Sequence, residues 1–210
     1  MIINLEEYKQ NQNQTSFIYA YDENGDTVEI ARLHGEEDRV WVDLDDMSPY
    51  MAEAFIALED VRFKKHHGVD WKRTIGVIVK PSNIGQGGST ITQQLIKNLT
   101  GEDGRNINRK YNEMLYALNM EIKSKDYGIN NVIIEAYLNT LYLGSGCYGV
   151  KTASEKYFGK DVSELNAAEC AAIASITQKP TKNNPLLNPE NNRERMLYCL
   201  KRMHRNGALT

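Results

Sequence analysis

From Ser48 to the end of the chain, apolar side chains return every three to four residues, and that period excludes most ways the chain could fold. "SPYMAEAFIALED" puts Met51, Ala54, Phe55 and Leu58 at i, i+3, i+4 and i+7, which is one face of an α-helix. "STITQQLIKNLTG", "RNINRKYNEMLYALNMEIKSK", "NNVIIEAYLNTLYL", "SELNAAECAAIASI" and "PENNRERMLYCLKRMHRNG" carry the same pattern, the second through Tyr111, Leu115, Leu118 and Ile122. Stripes of this kind face a core, so the chain is expected to be mainly α. Residues 16 to 45 differ. They alternate in short pieces around "YDENGD", where Asn24 and Gly25 supply the positive φ angles of a tight hairpin, and a short β element is expected there. Residues 1–15 read as a polar tail, and the Pro- and Asn-rich stretch from Lys179 to Asn192 as a loop rather than a linker.

A length of 210 residues suits one domain, or one domain with a lobe, and is enough to bury a good core. The net charge of -3 hides an asymmetry: residues 1–60 hold 15 acidic and 3 basic side chains, residues 61–210 hold 13 acidic and 22 basic. The second part is prepared for an anionic partner, and charge alone does not choose between nucleic acid, a phosphorylated substrate and an anionic membrane. Cys147, Cys170 and Cys199 have no ligand-like spacing and read as buried small side chains. The sequence has no long apolar run of transmembrane type, and its first residues do not resemble a signal peptide.

Three stretches carry chemistry. In "GGSTITQQLIKN", Thr90 and Gln93 form a capping box that opens a helix closing at Gly101. The glycines at 87 and 88 allow close approach to a helix start whose free N–H groups favour anions. Lys97 adds a point charge further along, while Ile91 and Leu95 face a core; the spacing is not that of a nucleotide-binding phosphate loop. On the next helix Arg105, Arg109 and Glu113 recur every four residues beside Lys110, which makes a cationic strip with one carboxylate. Taken alone, that strip reads as a solvated face laced by an Arg109–Glu113 pair. In "EDVRFKKHHG", Glu59 follows an apolar helical face. A carboxylate among apolar groups has its charged form disfavoured and becomes a better proton acceptor near neutral pH. Glu59 is therefore the candidate base, with Asp60 and His66 expected to orient the helix end by hydrogen bonding.

"EDVRFKKHHG", "GGSTITQQLIKN", "RKYNE" and "VIIEAYLN", in this order and at these separations, closely resemble the peptidoglycan glycosyltransferases of family 51. This is the glycan-polymerising domain of class A penicillin-binding proteins and of monofunctional transglycosylases. The likeness runs from about Thr15 to "RMHRNGALT", so residues 16–210 are expected to be one such domain, with no Ser-x-x-Lys transpeptidase motif in the chain. It implies a lysozyme-like helical large lobe with a smaller membrane-facing jaw. It also implies an enzyme that polymerises lipid II into β-1,4-linked strands, with inversion and release of undecaprenyl pyrophosphate, and that moenomycin blocks.

Carried over by position, the resemblance makes Glu59 the catalytic base and Glu113 the second carboxylate. It assigns pyrophosphate contacts to Lys97, Arg105, Arg109 and Lys110, and lines the donor site with Ser89, Thr90, Gln93, Gln94 and Asn98, with His66 among the substrate-binding residues. No cofactor is required by it, and Mg²⁺ or Mn²⁺ at Glu113 stands as the alternative to an orienting role. The partners implied are lipid II, the lipid-linked glycan chain, an anionic membrane surface and the cell-wall synthesis machinery, with no nucleic acid. The place implied is the extracytoplasmic face of the bacterial cytoplasmic membrane, the anchor lying outside this chain.

Two departures from the family pattern, Lys64 after Phe63 and "NNP" at 183 to 185, leave both carboxylates in place. "VDWKRTIGVIVK", from Val69 to Lys80, sets Trp71, Ile75, Val77, Ile78 and Val79 among Lys72, Arg73 and Lys80, a mixture suited to lying on anionic lipid. The rival readings are a lysozyme-like hydrolase, which has little use for a cationic strip, and an inactive glycan-binding scaffold, which has little use for both carboxylates.

Overall fold

The structure is a computed structural model that describes residues 16–21, 27–33, 40–79, 88–100, 107–123 and 129–210. It is mainly α-helical, as the periodicity requires, and it begins with the expected β element. Strand β1 (Ser16–Tyr21) pairs antiparallel with β2 (Thr27–Leu33), in register from Ser16 opposite Leu33 to Tyr21 opposite Thr27, with an irregularity between Ile18 and Tyr19. The Asn24-Gly25 turn lies outside the described residues.

Helix α1 (Pro49–Glu59) supplies six apolar residues to the hydrophobic core. Ser48 starts it: its side chain accepts from the Tyr50 N–H while its hydroxyl donates to Leu165 O at 2.6 Å, and Pro49 fills the first helical position, where no N–H is needed. Met51, Ala54 and Phe55 are fully buried, and Ile56, Ala57 and Leu58 nearly so. Burying each of the larger side chains contributes on the order of 1.5–3 kcal/mol. Helix α1 packs against α7 (Ala167–Ala174) and α8 (Pro189–Arg205), which also pack on each other. The same core takes in α3 (Ile91–Thr100), which packs on α4 (Ile107–Lys123) and α5 (Ile129–Thr140). Helices α2 (Trp71–Val79) and α6 (Val150–Phe158) complete the helical set described.

Two glycines are required by close approach. Gly68 has φ +77°, and a Cβ there would sit 2.6 Å from the Ala117 carbonyl oxygen on α4. Gly149, at φ +82°, would meet Asn139 O at 2.8 Å. Any larger residue would strain both the backbone and the contact.

One expectation is corrected. Tyr111 and Leu115 on α4 were expected on a core-facing stripe, yet Tyr111 is 62% and Leu115 39% exposed, and Leu118 is half-buried. The buried face of α4 instead carries Glu113, Ala117, Met120 and Glu121. The reason is polar: Thr92 Oγ1 on α3 donates to Glu121 Oε1 at 2.9 Å, and Glu113 pairs with Lys110. Satisfied carboxylates can therefore occupy the inward face. The three cysteines are buried and free, as expected, and burial pushes the thiols of Cys170 and Cys199 up to about 11 and about 12.

Candidate active site

Glu59 is the last residue of α1, where packing against α7 and α8 buries it to 6% exposure. Its carboxylate is held from two sides. Thr177 Oγ1, just past α7, donates to Oε1 at 2.7 Å, and Gln94 Nε2 on α3 donates to Oε2 at 3.3 Å. The Arg195 guanidinium on α8 lies 3.7 Å from Oε1. The Glu59 carbonyl, at a helix C-terminus where acceptors lack partners, takes a 2.6 Å bond from Arg73 Nη1.

Asp60, 1% exposed, ends α1 and ties it to the next element of the site. Its Oδ2 accepts from His66 Nε2 at 2.8 Å and from the Ile91 N–H at 3.1 Å, so a carboxylate sits at the positive end of α3. His66 packs edge-on against Phe63 at 6.3 Å. Both residues orient the helix end, as their sequence context suggested.

The start of α3 is built as the sequence predicts. Gln93 Oε1 accepts from the Thr90 N–H at 2.9 Å, the Gln93 N–H donates to Thr90 Oγ1 at 3.2 Å, and Thr90 Oγ1 donates to Gly68 O at 2.5 Å. Thr90 and Gln93 are therefore buried capping groups rather than groups facing open space. Ser89, just before them, accepts from Lys110 Nζ at 2.7 Å, and the same ammonium pairs with Glu113 Oε1. Lys97 and Asn98 are exposed one turn beyond Gln94. Arg105 and Gly101 lie outside the described residues, as does the side chain of Arg109, whose backbone belongs to α4.

Of the residues singled out in the sequence, the structure thus joins Glu59 to Gln94, and Ser89, Lys110 and Glu113 to one another, with the first turns of α3 between the two groups. Sequence reasoning missed Thr177, Arg195, Arg73 and Tyr137. The last donates its hydroxyl to Gln94 Oε1 at 3.1 Å. No local spacing signals them, since Thr177 reaches Glu59 across 118 residues of chain.

A cleft of about 390 Å³ is lined by Arg62, Lys72, Arg73, Arg195 and Arg202 together with Asp60, Asp70 and Tyr198, and Glu59 is not among its lining residues. Asp70 is committed to Arg62 at 3.2 Å and to the Arg73 N–H at 3.0 Å, so the balance of the cleft is cationic. The Lys110 ammonium holds the Glu113 carboxylate through Oε1. Among the described residues no three His, Cys, Asp or Glu side chains come together as a metal set.

The sequence model of the family described as transglycosylase matches residues 26–204. Among curated proteins, the chain is 39% identical over 192 residues to penicillin-binding protein 1F of Bacillus subtilis, covering 90% of this chain and 26% of that protein. It is 40% identical to penicillin-binding protein 1A of Aquifex aeolicus, with 85% of this chain and 25% of the relative covered. For penicillin-binding protein 1A of Escherichia coli the identity is 40%, over 87% of this chain and 21% of the relative. The chain thus spans about a quarter of the length of the curated relatives it matches. A crystal structure of penicillin-binding protein 1A from Haemophilus influenzae aligns with 93% of this chain and 19% of its own, at 23% identity and a TM-score of 0.48. With the family model covering most of its residues, including every element of the site from Glu59 to Arg195, the chain belongs to the transglycosylase family.

Proposed function

We propose that this chain polymerises lipid II, joining the growing lipid-linked glycan to the 4-hydroxyl of an acceptor sugar and releasing undecaprenyl pyrophosphate. The observation that carries the reading is the setting of Glu59: a buried carboxylate at a helix end, held by donors from Thr177 and from Gln94, the latter on the same helix that carries Lys97. In the reaction the acceptor hydroxyl loses its proton to Glu59 as its oxygen attacks the anomeric carbon from the face opposite the leaving group. The bond from that carbon to the phosphate oxygen breaks with its electron pair, so negative charge grows on the pyrophosphate and the anomeric configuration inverts.

Fixed cations aimed at that charge lower the barrier, an effect that reaches ~3–4 kcal/mol for a single well-placed donor. Lys97, Arg105, Arg109 and Lys110 are the groups assigned to this task, with Ser89, Gln94 and Asn98 beside them. Thr90, Gln93 and His66 support the site from within, through the capping box and the bond to Asp60. Glu113, paired with Lys110, orients that lysine against Ser89 rather than binding metal. A hydrolase would need no pyrophosphate cations, which favours synthesis over glycan cleavage.

The domain is taken as residues 16–210. Its place is the extracytoplasmic face of the cytoplasmic membrane, beside the cell-wall synthesis machinery and with lipid II as substrate. No helix among the described residues is long and apolar enough to cross a membrane. Helix α2 nevertheless presents Trp71 at 52% and Ile75 at 56% exposure beside Lys72, a face suited to anionic lipid. The test is incubation with lipid II, with and without moenomycin. Moenomycin-sensitive glycan strands are expected, and release of muropeptides from purified cell wall without any polymer would overturn the reading.

A further inference from the structure

Glu59 is bonded to Gln94, and Gln94 is bonded onward. Its amide lies between two groups of different chemistry, the Glu59 carboxylate at 3.3 Å from Nε2 and the Tyr137 hydroxyl at 3.1 Å from Oε1. An ionised carboxylate only accepts, so the amide must turn its NH₂ toward Glu59. That leaves Oε1, which also only accepts, facing the phenol, and the phenol must donate. The chain Tyr137 to Gln94 to Glu59 therefore has one direction while Glu59 is ionised. A flipped amide would set an oxygen against the carboxylate.

Tyr137 is built to hold that direction. It projects from α5 into the core at 1% exposure, and its ring meets Phe55 of α1 edge-on at 6.0 Å. Burial, with the negative charges of Glu59 and Asp60 added, pushes its phenol well above the ordinary tyrosine range, so the hydroxyl keeps its proton. Helix α3, which carries Gln94, packs on α5.

We propose that Tyr137 is a positioning residue for the Glu59 base, acting through the Gln94 amide. This rests on Glu59 being the base. When Glu59 takes the acceptor's proton it gains a donor of its own, and the amide can then rotate, accepting from the carboxyl and donating to the phenol oxygen. The relay thus favours the ionised base before transfer and accommodates the protonated one after it. Among the described residues, the other charged or titratable groups around Glu59 are Asp60 at the end of its own helix, Arg73 from α2, and Arg195 and Cys199 from α8. Tyr137→Phe alters none of them.

The experiment compares rates of lipid II polymerisation for the parent, Tyr137→Phe, Gln94→Met and the double variant, across about pH 5 to 9. Phenylalanine keeps the ring and its contact with Phe55. If the relay operates, Tyr137→Phe moves the acidic limb of the kcat profile to higher pH. The loss would be about three- to tenfold at the acid end, fading toward the alkaline end, with KM unchanged. Adding Tyr137→Phe to Gln94→Met should then cost nothing more. A loss equal at every pH, or a profile identical to the parent's, would overturn the relay, as would full additivity in the double variant. Glu59→Gln run alongside separates the two ideas. If it is inactive while Tyr137→Phe keeps the parent profile, the relay alone fails; if it stays active, the base assignment fails first.

Discussion

The two carboxylates flanking the start of α3 are equally buried, each 6% exposed, and are held in opposite ways. Glu59 ends a helix in the apolar cluster of α1, α7 and α8, and its direct donors are a neutral hydroxyl and a neutral amide, with the Arg195 cation at 3.7 Å. Glu113 lies within α4, and its carboxylate is in direct contact with the Lys110 ammonium, which in turn donates to Ser89. Glu59 draws its hydrogen bonds from neutral dipoles, and its ion-pair partner Arg195 stands off at 3.7 Å. Glu113 is in direct contact with its cation, and in the proposed function it fixes where that cation points. The two differ in their partners and not in their burial.

The largest effect should come from Glu59→Gln. The amide keeps the size of the side chain and can still accept from Thr177, but it cannot take a proton. Polymerisation should fall on the order of 10²–10⁴-fold, with thermal unfolding and moenomycin binding near those of the parent. Activity within about tenfold of the parent would erase the distinction between the two carboxylates.

Lys110→Ala comes next. It removes a charge-assisted bond to Ser89 and leaves Glu113 without this ion-pair partner, so a loss of about 10- to 100-fold in kcat/KM for lipid II is expected. Charge reversal at exposed Lys156 or Lys201 serves as the control and should change little. Glu113→Gln sharpens the comparison. As an orienting group it should cost activity by the same factor at every Mg²⁺ concentration, whereas loss of a metal stimulation shown by the parent would make Glu113 a ligand instead.

What the sequence disclosed, and what it did not, follows the range of the forces involved. The face of α1, its start at Ser48 and the capping box of α3 were legible because each is set by residues within a turn or two of one another. The stripe on α4 misled because periodicity tells which residues share a face and not which face packs. Tyr111 and Leu115 do lie together, on the exposed side, while Glu113 and Glu121 turn inward to satisfied partners. The surroundings of Glu59 were beyond local reading for a similar reason. Thr177 from the turn after α7 and Arg195 from α8 reach it directly, Tyr137 from α5 only through Gln94, and the packing of those helices on α1 and α3 brings them near.

Glu121 offers the smallest and most physical test, because it is a third buried glutamate, on the same helix face as Glu113, with no cation among the described residues in such close contact. Thr92 donates to it, while the ring of exposed His67 lies 3.8 Å away. Burial is the larger influence and holds its carboxyl above the ordinary glutamate value of 4.5, against the opposing hydrogen bond from Thr92 and the nearby histidines. A carboxyl whose folded value exceeds its unfolded one binds its proton more tightly when folded. Its contribution to stability is therefore complete below about pH 4.5 and is lost as pH rises through the folded value. Glu121→Gln keeps the acceptor for Thr92 and removes the charge, so it should abolish that decline and leave the protein as stable as the parent, or more so, near neutral pH, by no more than ~1 kcal/mol. Thermal unfolding of both proteins across about pH 4 to 8 reads this directly. Curves that converge at low pH and separate as pH rises would mark Glu121 as a carboxylate carried at a cost. Parallel curves would mean that the Thr92 bond and His67 offset its burial in full, which would place Glu121 with Glu113 among the carboxylates whose partners satisfy them.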